Sequence, residues 1–156
     1  MAITILHTGQ SGVERGAARA SAFTEFAVAG FCQYERRDEF GPLPPDMLAN
    51  LTPCNRRGAR SALAATLALA DVVVIAVSDP KRTKFDAGIA ALRRASRRRE
   101  LPTHVIGPNE NWDAICEQIR VAALDRDLKV LITGPRRTRW EAGERVGWRF
   151  VAQLSM

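Results

Sequence analysis

The chain has 156 residues, 46% of them hydrophobic and 26% charged, with a formal net charge of +6. That size and balance suit one globular domain with a sizeable core, and no apolar run is long enough to span a bilayer. The basic surplus favours an anionic partner without naming its kind.

The first residues, Met1-Ala2-Ile3-Thr4-Ile5-Leu6, carry neither the basic region nor the long apolar segment of a signal peptide, so a cytoplasmic protein without membrane partners is expected. Ile3–Leu6 is apolar and β-prone, and Gly12–Phe26 is Ala-rich and helical. A brief strand is expected over Ala27–Cys32. The stretch Gln33–Asn55 then runs polar, with four prolines and a glycine. A loop of that length inside a compact domain is usually a lid or a binding loop. Helix is predicted over Arg57–Ala70, a buried strand over Asp71–Val77, and helix again over Asp86–Arg99, with Thr83 or Asp86 as its cap. Strand follows at Thr103–Ile106, helix at Asn111–Arg126, strand at Leu128–Thr133, and a closing helix from Glu141 to Gln153.

Trp112, Ile115, Cys116, Ile119, Ala122 and Ala123 share one helical stripe, as do Phe150, Val151 and Leu154, and both stripes are assigned to the core. Alternating strands and helices, with continuously apolar strands, predict an α/β fold: a single doubly wound Rossmann-like domain over residues 1–156 with a mainly parallel sheet. Strand order is not readable from the pattern. Cys32, Cys54 and Cys116 form no Cys-x-x-Cys pair, and His7 and His104 stand far apart. Reduced, packed thiols and no metal site are expected.

In a parallel sheet the ligand crevice lies beyond the C-terminal strand ends, so the strand-exit loops carry the functional reading. The first is His7-Thr8-Gly9-Gln10-Ser11-Gly12-Val13-Glu14-Arg15-Gly16. Glycines there allow a tight turn and close backbone approach, and a helix start favours an oxyanion. Ser11 and Glu14 also fit a capping box, so Glu14 has two readings, cap or ligand contact. Arg15, a cation within the first helical turn, opposes the helix dipole and is assigned to function. Further basic or mixed-charge loops run from Glu35 to Pro44, from Ser78 to Gly88 and from Thr133 to Trp140. The fold gathers these along one sheet edge. The run Arg93, Arg94, Arg97, Arg98 and Arg99 instead ends a helix, faces away from that edge, and is read as a solvated, dipole-matched terminus.

The stretch Thr8–Ala17 resembles the GGQTGVDRGAL signature of the molybdenum carrier family, part of the SLOG group of Rossmann-like proteins that includes lysine-decarboxylase-like phosphoribohydrolases and the DNA-processing protein A. Arg36-Arg37-Asp38-Glu39-Phe40-Gly41-Pro42-Leu43-Pro44 is similar to that family's GRRAEDGPIP segment, and Ile132-Thr133-Gly134-Pro135-Arg136 to its AGPRES segment. The resemblance covers most of the chain. It implies a Rossmann-like fold, often homo-oligomeric, with a pocket for a phosphorylated nucleotide-like ligand or a pterin such as molybdenum cofactor. Carried onto this chain, the contacts are Gly9, Gln10, Ser11, Gly12, Arg15, Arg37, Gly134 and Arg136. Two departures stand out: Thr8 replaces the first glycine, and Lys81–Gly88 is bulkier and more basic than the family's GGTALT-like turn.

Three functions are compatible with these residues. Binding of a small anionic, nucleotide-like cofactor needs only the loops already named. A phosphoribohydrolase-like enzyme would use Glu14 as its carboxylate, although the PGGxGTxxE motif of those relatives is missing. Single-stranded nucleic-acid binding would need aromatics beside the basic loops, and Tyr34, Phe85 and Trp140 are the candidates.

Overall fold

Alternation along the strands sets the architecture. In β7 (Val72–Ala76) every residue is buried. Val72, Val74 and Ala76 join one apolar cluster, while Val73 and Ile75 join the other. A strand apolar on both faces demands a helix layer on each. The computed structural model of the chain describes residues 2–85 and 87–156, without the side chains of residues 83–85.

Along the chain, β1 (Ile3–Leu6) leads to α1 (Val13–Ser21) and β2 (Ala27–Ala29). Four short strands follow, β3 (Phe31–Cys32), β4 (Arg37–Asp38), β5 (Gly41–Pro42) and β6 (Thr52–Pro53), with a single turn of helix, α2 (Pro45–Leu48), before β6. The chain continues with α3 (Ala59–Leu67), β7, a 3-10 turn (Pro80–Phe85), α4 (Ala87–Arg98) and β8 (Thr103–Ile106). It ends with α5 (Asp113–Asp125), β9 (Leu128–Thr133) and α6 (Gly143–Leu154).

The central sheet is parallel throughout, in the order β2-β1-β9-β7-β8. One face carries α1, α5 and α6, whose residues Val13, Trp112, Cys116 and Phe150 pack on Ile5, Val74 and Val130. The other carries α3 and α4, through Leu67, Ile89 and Leu92. The fold is therefore α/β and Rossmann-like, as the strand–helix alternation predicts. Counting the last strand as the first turns this order into 3-2-1-4-5, that of doubly wound nucleotide-binding sheets. The chain thus enters the architecture at its second strand. The reversal of strand order, where such sheets open a crevice, falls between β9 and β7.

Several boundaries differ from the sequence reading, each for a local reason. The first helix stops at Ser21 rather than Phe26, because i→i+3 bonds from Ala22, Phe23 and Thr24 tighten the chain into turns. The strand expected over Ala27–Cys32 breaks at Gly30, whose φ is 149° and where a Cβ would fall 1.8 Å from the His7 carbonyl. Its second part leaves the main sheet and pairs with β6. The polar stretch after it is ordered, with the β4–β5 hairpin and α2 inside it. The expected cap Asp86 lies outside the described residues, as does the side chain of the alternative, Thr83.

Helices α1 and α6 follow neighbouring strands and meet backbone to backbone. A Cβ on Gly16 would stand 1.9 Å from the Glu144 carbonyl oxygen, and one on Gly147 2.1 Å from that of Val13. Glycine at these positions gives up about 1 kcal/mol of helix propensity each relative to alanine, so close packing is the reason for it. Gly147→Ala should accordingly lower stability by about 1–3 kcal/mol through overpacking, instead of raising it through propensity. Urea denaturation of the variant measures the sign; a gain in stability would show that the helices are not in contact there.

Candidate functional site

Contact between α1 and α6 places their leading loops side by side. Gly12, with φ 89°, faces the loop after β9, where a Cβ would come 2.7 Å from the Pro135 carbonyl oxygen. Gly134 is pressed against the Ala76 carbonyl of β7, at 2.3 Å for a Cβ. Gly9 lies against Leu43 and Leu51. The glycines expected to admit a ligand thus also admit the chain's own backbone and side chains.

Glu14 is wholly buried on α1. Its Oε1 accepts the Thr8 amide at 2.6 Å and the Thr8 hydroxyl at 2.8 Å, and its Oε2 accepts the Thr133 hydroxyl at 3.0 Å. The carboxylate ties the ends of β1 and β9 to α1. Burial pushes its pKa up, while the bonds from Thr8 and Thr133 work against that rise. The capping box expected of Ser11 and Glu14 does not form: Gly12 is the N-cap, with no side-chain cap bond. Thr8, which replaces a family glycine, supplies two of the three donors to Glu14. Both oxygens of Glu14 are thus engaged by the chain's own donors.

His7 is buried as well. Its Nδ1 accepts the Gly9 amide at 3.1 Å, leaving Nε2 to donate to Asn50 Oδ1 at 2.8 Å. Burial lowers its pKa to about 4, against the bond to Asn50, which raises it, and with Arg15 lowering it further.

The polar groups nearer the surface converge on the β4–β5 hairpin. Arg15 bonds the Gly9 carbonyl at 3.1 Å and pairs with Asp38, whose side chain is only 3% exposed. The Arg15 Nε is buried without a hydrogen-bond partner among the described residues. Next to Asp38, Glu39 accepts the Ser11 hydroxyl on Oε1 and the Thr138 hydroxyl on Oε2. The Thr138 amide lies 3.3 Å from Oε1, the Arg136 Nε 3.7 Å from Oε2, and the Arg137 amide donates to the Ser11 hydroxyl at 3.1 Å. Partial burial alone would raise the Glu39 pKa; the bonds from Ser11 and Thr138, with Arg136 nearby, outweigh it and hold the carboxyl below its ordinary value.

Of the sequence-predicted set, Ser11, Gly12, Arg15, Gly134 and Arg136 come together here with Gly9 beneath them. Gln10 is half-buried in the same turn, and Arg37 is exposed on β4. Asp38, Glu39 and Thr138 were not predicted. The two acids stood in the quoted RRDEFGPLP stretch, but a mixed-charge run reads equally well as a solvated loop.

Two open concavities lie elsewhere: one of about 650 Å³ between the end of α4 and β8, and one of about 330 Å³ at the start of α3. Neither includes the strand-exit loops, where Asp38 and Glu39 meet the polar donors. Trp140 packs against the core, Tyr34 is half-exposed with the Arg57 guanidinium 5.6 Å from its ring centre, and Phe85 has no described side chain. Arg99 caps α3 through the carbonyls of Leu67 and Ala68, at the sheet end away from these loops. Among the described residues no group of three or more His, Cys, Asp or Glu is placed to hold a metal, the three cysteines are free and buried, and no helix is long and apolar enough to cross a membrane.

The strand order defines a Rossmann-like α/β domain entered one strand late. Consistent with that topology, the chain belongs to cpYpsA, the circularly permutated YpsA SLOG family, which it matches over residues 5–154. Its fold is similar to the crystal structure of a putative molybdenum carrier protein from Syntrophus aciditrophicus, with a TM-score of 0.81, 15% identity, and coverage of 98% of this chain and 94% of that one. No curated protein matches the chain.

The buried histidine carries a pH signature. Unfolded His7 takes a proton near 6.5 and folded His7 only near 4, so its contribution to stability is lost as pH falls through that window. The loss amounts to about 3 kcal/mol at about 1.4 kcal/mol per pH unit. Glu14 acts in the opposite sense, because its folded form takes up a proton before the unfolded form does. Denaturation of wild type and His7→Gln at pH 7 and pH 4 isolates the histidine. The stability advantage of wild type should shrink by about 3 kcal/mol; a constant difference would mean that His7 is not held neutral.

Proposed function

We propose that the chain binds a small phosphorylated ligand, nucleotide-like or pterin-based, at the strand-exit edge beside β1 and β9. A molybdenum-carrier-like role is the form of this reading that its family and fold neighbour favour. The observation that carries it is the convergence of the Ser11 hydroxyl, the Thr138 amide and hydroxyl, and the Arg136 guanidinium on one carboxylate. Hydroxyls, an amide and a guanidinium aimed at two oxygens are the donors that hold phosphate. The unpartnered Arg15 Nε adds a buried donor beside them, and the start of α1 adds the positive end of a helix dipole. Gly9, Gln10 and Gly12 contribute backbone from the turn after β1 and Gly134 from the loop after β9, and Arg37 stands at the rim. Homo-oligomerisation belongs to this reading only as the family resemblance implies it.

Native mass spectrometry of the purified protein tests for a phosphorylated small molecule carried along with it. In calorimetric titration with AMP as probe, Ser11→Ala and Arg136→Ala should each weaken binding by tenfold or more. Arg136 is half-exposed, so its variant should melt with wild type. Unchanged AMP affinity when either replacement is made beside Glu39→Ala, which removes the carboxylate those donors hold, would overturn the site. Gly12→Val is no test of binding, because the positive φ and the Pro135 carbonyl make it a test of folding.

A further inference from the structure

The β4–β5 hairpin has little apolar support. Its two strands pair over two residues each, closed at the base by the Leu43 amide on the Arg36 carbonyl at 2.9 Å. Among the described residues, none from 33 to 42 belongs to a buried apolar cluster. Phe40 at the tip is 59% exposed, with the Arg137 guanidinium 5.7 Å from its ring centre. What fastens the hairpin is acidic: Asp38 on Arg15, and Glu39 on Ser11, Thr138 and Arg136.

From this we infer that the hairpin is a strap over the oxyanion site, with the Glu39 carboxylate seated where the phosphate of the ligand binds. The inference rests on the proposed reading of that edge as a phosphate site and adds how entry to it is controlled. A carboxylate and a phosphate recruit the same hydroxyl, amide and guanidinium donors. Two anions cannot share one set of donors, because each would lose bonds and gain repulsion, so strap and ligand exclude one another. Apparent affinity then falls in proportion to the fraction of molecules with the strap lifted. Lifting Glu39 uncovers no apolar core, and Asp38, deeper and paired with Arg15, stays as the pivot. With Glu39 lifted the Asp38–Gly41 pairing opens, and the exposed Arg37 next to it becomes a cleavage point in the open form.

Calorimetric titration of wild type, Glu39→Ala and Phe40→Ala with AMP tests the strap, with circular dichroism melts as the folding control. Glu39→Ala should bind AMP at least tenfold tighter than wild type. Phe40→Ala loosens the tip without touching any donor and should tighten binding severalfold, which keeps the test open if the first variant misfolds. In wild type, saturating AMP should speed trypsin cleavage after Arg36 and Arg37, whereas a ligand that leaves the hairpin closed would slow it. AMP binding of equal or lower affinity in both folded variants would overturn the strap and leave the phosphate site standing. AMP binding by none of the three proteins would remove the site itself, and the strap with it.

Discussion

Everything at the strand-exit edge depends on how closely α1 and α6 approach. Their crossing is built on Gly16 and Gly147, where a single methyl group would enter the facing carbonyl. Because each helix begins one loop after its strand, helices in backbone contact pull those two loops into contact as well. Gly12 against Pro135 extends the seam upward, and Arg19 borders it with ion pairs to Glu144 and Asp46. Those pairs are partly exposed and contribute little beside the packing.

Buried acid chemistry then locks what the glycines bring together. Glu14 gathers Thr8 and Thr133 from adjacent strands, so the ends of β1 and β9 are joined by a side chain as well as by sheet hydrogen bonds. Asp38 does the same for Arg15, and Glu39 for the loop after β9. Each carboxylate is satisfied by hydroxyls, amides or a guanidinium, as buried acids must be. One consequence concerns charge: at the strand-exit loops Asp38 and Glu39 already engage Arg15 and Arg136, and the densest arginine run lies at the end of α4, where Arg99 closes the carbonyls of α3. Net charge therefore says less about the ligand than the donors around Glu39 do.

The parallel α/β class, the order of the main strands and helices, and the buried stripes of α5 and α6 were legible in the sequence, because they follow from local periodicity. The stripe from Trp112 to Ala123 and the run Val72–Ala76 show 3.6-residue and continuous apolar patterns that no tertiary contact needs to explain. The glycine turn was legible as a turn. Its partners were not: Gly12 meets Pro135 and Gly134 meets Ala76, 123 and 58 positions away, and no local pattern encodes such a contact. The same limit explains Ser11 and Glu14, whose spacing fits a capping box but whose bonds go to Glu39, Thr8 and Thr133.

The sequence by itself determined a parallel α/β chain with a glycine-rich turn at its first strand exit, since helix, strand and turn preferences act within a few residues. Tertiary structure alone decided that the last strand inserts between the first and the third of the central sheet, β1 and β7. It alone decided, too, that the acids of the hairpin fill the donors of that turn. Both are long-range choices, made by burying two sheet faces at once and by satisfying charges that the fold has drawn out of water.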